Sequence, residues 1–73
     1  IFMPKFFVKD NQIIDNMVII IGEDVNHISN VLRMKIGDDI QVCNIDKSEN
    51  YNVKLQIIEK QKIECKIIEK LKI

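Results

Sequence analysis

Residues 27–42, HISNVLRMKIGDDIQV, decide how this chain folds, because the spacing of the apolar side chains changes within them. Before Gly37 the apolar residues recur every three or four positions, which is typical of one face of a helix. After Gly37 they alternate with polar residues, which is typical of a half-buried strand. The stretch therefore predicts a short helix, a glycine turn and a β-strand in direct succession. The helical stripe comprises Val25, Ile28, Val31 and Leu32.

The charges near this stretch set the expected ends of the helix. Gly22 precedes it, and Glu23 and Asp24 fall in its first turn, where carboxylates oppose the positive end of the helix dipole. Arg33 falls in its last turn, where the dipole favours a cation. We therefore predict a helix over residues 23–33, with Gly37 in the turn that follows.

The rest of the chain is predicted to form short strands between polar turns. Isoleucine dominates the apolar residues, and this β-branched bias favours strands. The last segment, 63–71, also fits a helix, but a strand is preferred because it follows a hairpin turn. Closure into a small barrel would remove exposed edges, so the expected fold is mainly β: a small closed or nearly closed barrel of about six short strands with one inserted helix. The predicted strands cover residues 5–9, 12–15, 17–21, 40–43, 51–57 and 63–71.

Composition limits the chain to one small domain of a folded class. It has 73 residues, 47% hydrophobic and 30% charged, which excludes intrinsic disorder. Its formal net charge is zero, so any nucleic-acid site would be a local basic patch. Cys43 and Cys65 lack CxxC spacing and are predicted to be buried or half-buried free thiols.

No targeting or membrane segment can be identified. The apolar run at the start of the sequence is too short for a signal peptide, and the apolar run at residues 17–21 is too short to cross a bilayer. We therefore expect a cytoplasmic, reduced protein with no membrane partner. Ile1 and Phe2 precede Met3, which leaves open whether Met3 is the natural first residue.

The sequence predicts no catalytic, metal or cofactor site within this chain. Neither GxGxxG nor GxxxxGK[ST] occurs, and the single histidine has no second histidine or nearby cysteine to share a metal. A complete small enzyme is therefore disfavoured.

The outward face of the predicted helix carries the residues suited to nucleic acid. Asn26, Asn30 and Arg33 lie opposite the apolar stripe, with His27 at its border. Arginine and asparagine suit phosphates and base edges. On pattern alone, however, a helix-capping Arg33 and a solvated polar face are the preferred interpretation. Of Phe6 and Phe7, alternation places one inward, and either could instead stack on a base.

Three short segments resemble the RsmE-type RNA methyltransferases. MPKFFV at residues 3–8 resembles their MPRFFV start, HISNVLR at 27–33 resembles their HxxxVLR helix, and KIGD at 35–38 is similar to the K-x-G-D that follows. The segments occur in the family's order and spacing. The match spans this chain but only about the front third of the family's usual length.

The resemblance implies a division between RNA binding and catalysis. The family's front part is a PUA-like barrel that grips RNA, so residues 1–73 are expected to be that single domain, non-catalytic and without a cofactor. A C-terminal knotted SPOUT domain, absent here, would bind S-adenosylmethionine, dimerise and methylate N3 of a uridine in small-subunit ribosomal RNA. The implied partners are that RNA and the chain's own C-terminal catalytic domain, within a homodimer.

The resemblance also implies the site. The family's helix histidine and arginine correspond to His27 and Arg33, and its N-terminal arginine corresponds to Lys5, which keeps the charge but not the bidentate fork. RNA contact is then favoured over capping for Arg33, whereas His27 stays open between RNA contact and packing. The predicted RNA-binding residues are Arg33, His27, Asn30, Lys35 and Lys5.

A second class of function remains open. The barrel could bind no RNA and only pack against a partner domain or subunit. Ile58 and Ile68 interrupt the polar faces of their strands, and with residues 66–73 they would form that docking surface. Alternatively, Ile58 and Ile68 are isolated apolar residues on the surface, which are common in folded proteins.

Overall fold

Six strands form one curled sheet in the computed structural model, which describes residues 3–72. Ile1, Phe2 and Ile73 lie outside the described residues, so the question of the natural start is not addressed by them. A 3₁₀ turn at Asp10–Gln12, the helix α1 at Glu23–Asn26 and a π-helical turn at His27–Val31 complete the elements. The strands are β1 (Lys5–Val8), β2 (Ile13–Ile14), β3 (Met17–Ile21), β4 (Asp39–Asn44), β5 (Glu49–Ile58) and β6 (Lys62–Leu71).

The strand order makes the sheet curl. The order is β1-β4-β5-β6-β3-β2, with β1 parallel to β4 and the other pairs antiparallel. A flat sheet of six strands would separate its edges, β1 and β2, by about 24 Å. The five peptide steps from Val8 to Ile13 can span at most about 18 Å. The edges must therefore approach each other, and the predicted mainly β fold with one short helix is confirmed as a half-barrel.

Two bulges between β5 and β6 change which side chains face the core. The pairing passes from Asn52/Glu69 to Val53/Ile67, which leaves Ile68 unpaired, and a second shift follows Leu55. Such bulges bend and twist a strand pair. Ile68 is exposed, as its alternation predicted.

The bulge after Leu55 corrects the prediction for Ile57 and Ile58. Alternation placed Ile57 inward and Ile58 outward. In the structure Ile57 is exposed, and Ile58 packs against the core. The extra residue, Gln56, reverses the alternation beyond it. Ile58 is therefore a core neighbour, and the docking surface expected from Ile58 and Ile68 together is not formed.

The predicted element bounds change at several ends. The helical segment ends at Val31, two residues before the predicted end at Arg33, and the strand predicted over 12–15 shrinks to Ile13–Ile14. The final segment is a strand, as preferred, and not a helix. Gly37 has a left-handed φ of 97° in a later turn, where its N–H donates to the Leu55 carbonyl at 2.8 Å.

The core lies on the concave side of the sheet, under the helix. Phe6 and Val25 are buried, and both cysteines are free thiols, as predicted, with Cys43 half-buried and Cys65 buried. Burial raises the pKa of the Cys65 thiol to about 12. The most deeply buried apolar side chains are Val8, Val18, Ile20, Ile28, Ile40, Val42, Val53, Leu55 and Ile63.

A buried asparagine fixes the connection between the two edge strands. Asn44 is 1% exposed, and its Nδ2 donates to Asp10 Oδ1 at 2.9 Å. Its Oδ1 accepts the backbone N–H groups of Asp46 (3.0 Å) and Lys47 (3.3 Å). The Asp46 carboxylate in turn accepts the Asp10 N–H at 2.7 Å. These bonds join the β4–β5 turn to the 3₁₀ turn that leads from β1 to β2.

Asn44→Ala should lower the free energy of unfolding by about 1–3 kcal/mol, because it leaves buried hydrogen-bonding groups without a partner. Urea unfolding followed by circular dichroism measures this. Asn11→Ala, an exposed asparagine in the same 3₁₀ turn, is the matched control and should change little. Equal effects of the two substitutions would contradict the role assigned to Asn44.

Asp10 should contribute to acid unfolding. The hydrogen bond from Asn44 holds the pKa of this carboxyl below its usual range, with help from the Lys47 ammonium 3.4 Å away. Its contribution is therefore present above about pH 4 and is lost as pH falls through the lowered pKa. Asp10→Asn should flatten the stability curve below pH 4 and leave its slope at neutral pH unchanged. An unchanged slope below pH 4 would count against the linkage.

Candidate nucleic-acid interface

The helical segment ends in an unusual way at Arg33. The Leu32 N–H donates to the His27 carbonyl at 2.8 Å, five residues earlier, and the Met34 N–H donates to the Ile28 carbonyl at 3.0 Å, six residues earlier. The second bond spans one residue more than at an ordinary left-handed helix end. The π-helical turn supplies that extra residue.

Arg33 itself adopts the left-handed conformation, with φ of 53°. Glycine or asparagine normally occupies this position, because a Cβ there costs about 1–2 kcal/mol. The flanking side chains of Leu32 and Met34 pack against the core, whereas Arg33 is exposed. The chain thus places its single arginine where the backbone disfavours it.

The Arg33 guanidinium makes no ion pair and no side-chain hydrogen bond within residues 3–72. Its side chain therefore does not cap the helix, contrary to the alternative considered from the sequence. Lys35 lies two residues on, exposed, in a turn fixed by its backbone N–H donating to Asp38 Oδ2 at 2.8 Å. Val31 and Ile36 are 60% and 66% exposed beside the two cations. These four residues form the helix-end patch.

The exposure of Val31 departs from the predicted apolar stripe. A π-helical turn holds more residues per turn than an α-helix. The added residue rotates Val31 out of the face that buries Val25 and Ile28. The patch at Arg33 therefore gains an apolar flank that helical periodicity assigned to the core.

His27 and Lys5 meet at a second place, between β1 and α1. The His27 ring packs edge-on against buried Phe6, with ring centroids 5.9 Å apart at 69°. An open depression of about 520 Å³ is lined by Lys5, Phe6 and His27. The packing interpretation of His27 is thus present in the structure, and the ring also faces the depression. The other side chains that line the depression are Phe7, Glu23, Asp24 and Asn26.

The sequence analysis considered Phe6 and Phe7 for base stacking but left Phe7 out of the predicted RNA-binding residues, although alternation in β1 indicated that one of the two rings is exposed. Phe6 is 7% exposed and Phe7 is 62% exposed, which confirms that one ring points inward. Lys5 Nζ lies 5.9 Å from the centroid of the Phe7 ring. This distance allows a cation–π contact.

Asn30 lies at a second, smaller depression that shares Asn26 with the first. Its Nδ2 donates to Asn26 Oδ1 at 2.6 Å. Asn26 lines both depressions, and Asn30 lines only the smaller, which measures about 300 Å³ and is bounded by Glu59 and Lys60 of the β5–β6 turn. The structure thus groups Lys5, His27 and Asn30 along one side of the helix, and Arg33 with Lys35 at its end.

Metal and membrane chemistry find no support in the part of the chain that is described. No three His, Cys, Asp or Glu side chains within residues 3–72 are placed to hold a metal ion. None of the helices there is long and apolar enough to span a bilayer.

Comparison with known proteins identifies relatives of this arrangement. A family model described as the RNA methyltransferase PUA domain matches residues 20–68. Ribosomal RNA small subunit methyltransferase E of Bacillus subtilis (strain 168) is 46% identical over 50 residues, which cover 68% of this chain and 19% of that protein.

Solved structures match over nearly the whole chain. A ribosomal RNA small subunit methyltransferase E from Neisseria gonorrhoeae, bound to S-adenosyl methionine, has a TM-score of 0.79 and 25% identity, covering 99% of this chain and 29% of that one. A crystal structure of a hypothetical protein gives 0.83 and 35% identity, covering 94% and 29%. The chain spans less than a third of the length of each of these relatives.

Glycine at position 33 should be tolerated better than alanine. Arg33→Gly relieves the left-handed strain that Arg33→Ala retains, so it should be about 1 kcal/mol more stable than the alanine variant. Urea midpoints of the two variants test this. Ser48, with φ of 54° in the β4–β5 turn, should show the same preference, whereas Asn30 in the π-helical turn should prefer alanine. Equal stability of the two variants at position 33 would contradict the strain.

Proposed function

Because this chain belongs to the RNA methyltransferase PUA-domain family, as its resemblance to RsmE-type enzymes predicted, we propose that it positions small-subunit ribosomal RNA for methylation. The methyl group would be added to N3 of a uridine by a catalytic domain of a longer parent protein. Residues 1–73 would form one RNA-binding domain that performs no chemistry itself. The name of the Bacillus subtilis relative supports the class of RNA.

The parent protein would supply the remaining parts. We propose that a C-terminal SPOUT domain binds S-adenosylmethionine and forms a homodimer, in the cytoplasm. The S-adenosyl methionine bound in the Neisseria gonorrhoeae structure supports that cofactor. This chain covers only 29% of that protein, which leaves room for a separate domain to bind it.

The observation that carries the proposal is the exposed, unpaired Arg33 in a left-handed conformation. Backbone strain of this kind is retained where a side chain serves a function. A guanidinium offers five donors in a planar fork that matches a phosphate or a guanine edge. Because the Arg33 guanidinium makes no hydrogen bond and no ion pair within residues 3–72, those donors are open to RNA.

The neighbouring groups extend the same surface. Lys35 adds a point charge beside Arg33, and exposed Val31 and Ile36 can pack against sugar or base. A second contact region lies along one side of the helix and comprises Lys5, His27 and Asn30. The helix-end patch carries only two cations, Arg33 and Lys35, so few phosphates would be neutralised and affinity should depend only modestly on salt.

Arg33→Gly should weaken binding to a labelled fragment of the small-subunit decoding-region RNA by about 1–3 kcal/mol. The glycine removes the guanidinium without adding backbone strain, so the loss reports contact rather than folding. The salt slope of binding should fall by about one phosphate contact. Anisotropy titration at low and moderate salt measures both quantities.

Two further variants sharpen the result. Ser48→Gly makes the same backbone change far from the patch and should bind like the unmodified chain. Arg33→Lys keeps the charge but loses the planar fork, so its affinity for the RNA should lie between those of Arg33→Gly and the unmodified chain. If Arg33→Gly binds as well as the unmodified chain, or if neither exceeds nonspecific binding, the proposed function is wrong.

A further inference from the structure

We propose that the depression between β1 and α1 is a site for one unpaired nucleobase that carries an exocyclic amino group and stacks on Phe7. This inference rests on the proposed function and names the RNA feature that the same surface selects. It adds Phe7, Glu23, Asp24 and Asn26 to the residues that would contact RNA.

The exposed ring of Phe7 is the platform of this site. Phe7 is 62% exposed on edge strand β1, while its neighbour Phe6 fills the core. An exposed aromatic ring offers a face on which any base can stack. Lys5 Nζ lies 5.9 Å from the ring centroid. This cation beside the ring face can bind the phosphate of the stacked nucleotide.

The charges of the depression select the base and not the backbone. Glu23 and Asp24, from the first turn of α1, line it together with Phe7 and Lys5. Two carboxylates outnumber the single ammonium, so a phosphate deep in the depression would be repelled. Ionised carboxylates only accept hydrogen bonds. A base edge that enters must therefore donate, as the exocyclic amino groups of cytosine, adenine and guanine do. Uracil donates only its N3–H, which lies between two carbonyl oxygens that the carboxylates would repel.

Asn26 completes the recognition of such an edge. Its Oδ1 already accepts the Asn30 Nδ2 at 2.6 Å, which leaves its own Nδ2 group to donate. A donor amide beside acceptor carboxylates matches a base that presents an amino group next to a ring nitrogen, as cytosine and adenine do. The depression measures about 520 Å³, within the range of sites for small ligands.

The same chemistry determines where on the RNA this base lies. A base paired in a duplex has its amino edge engaged and its faces covered, so the site takes single-stranded RNA. The uridine that the proposed function assigns to catalysis has no exocyclic amino group. The base on Phe7 is therefore a different nucleotide from the modified uridine, and its capture would fix the register of the strand.

Oligo-C and oligo-U of eight nucleotides form a matched pair of probes, since their bases differ only in the exocyclic group (amino against carbonyl) and in the hydrogen on N3. NMR titration of the isotope-labelled chain should show oligo-C binding at least about fivefold more tightly than oligo-U. Phe7→Ala should weaken oligo-C binding at least about fivefold, the low end of measured base stacking. Ile14→Ala is the control, because Ile14 is 59% exposed on β2 but does not line the depression.

A double variant tests the carboxylates separately from overall charge. Glu23→Gln with Asp24→Asn should strengthen binding of both probes, but the ratio of their dissociation constants should approach one. Equal binding of oligo-C and oligo-U to the unmodified chain, or an unchanged ratio in the double variant, would overturn the amino-group preference. Unchanged oligo-C binding by Phe7→Ala would overturn the stacking site.

The outcomes separate this inference from the proposed function. If Arg33→Gly loses decoding-region RNA while Phe7→Ala does not change oligo-C binding, the base site fails and the proposed function stands. If the unmodified chain binds none of these RNAs, both fail. Loss of oligo-C binding in Phe7→Ala with retention in Ile14→Ala supports the site.

Discussion

The short connection between the two edge strands constrains everything else in this molecule. Residues 9–12 are too few to cross a flat sheet of six strands, so the sheet bends until β1 and β2 lie near each other. The bend creates the concave side that holds the core and the helix. It also brings β1 beside α1, which is why Lys5 and Phe7 share a depression with His27. Asn44 holds this connection to the β4–β5 turn through buried hydrogen bonds.

A single extra residue shapes the candidate interface. The π-helical turn widens the end of the helix, turns Val31 outward and places Arg33 in a left-handed conformation between two core side chains. An ordinary α-helix of the same sequence would bury Val31 and continue through Arg33. The geometry on which the proposed RNA contact rests is thus a property of the helix end rather than of the whole helix.

Much of the fold could be predicted from local patterns, and the errors have physical causes. Alternation and helical spacing identified six strands and one helix, because each pattern reflects which side chains face a common core. Bulges are set by pairing between strands, so the reversal at Ile57 and Ile58 was invisible in β5 alone. The helix was placed too long because Arg33 occupies a position where a glycine would have marked the end. Phe7 was separated from Phe6 by alternation, but its nearness to Glu23 and Asp24 depends on tertiary packing.

The parallel pairing of β1 with β4 has a consequence for the order of folding. Phe6 pairs with Val42, and nearly half the chain separates them. The β4–β5–β6 meander is linked by short turns and can pair locally, whereas β1 gains a partner only after β4 exists. During synthesis the first strand made is therefore among the last to dock. The depression that includes Phe7 is completed in the same late step, so a chain that folds incompletely loses this surface first.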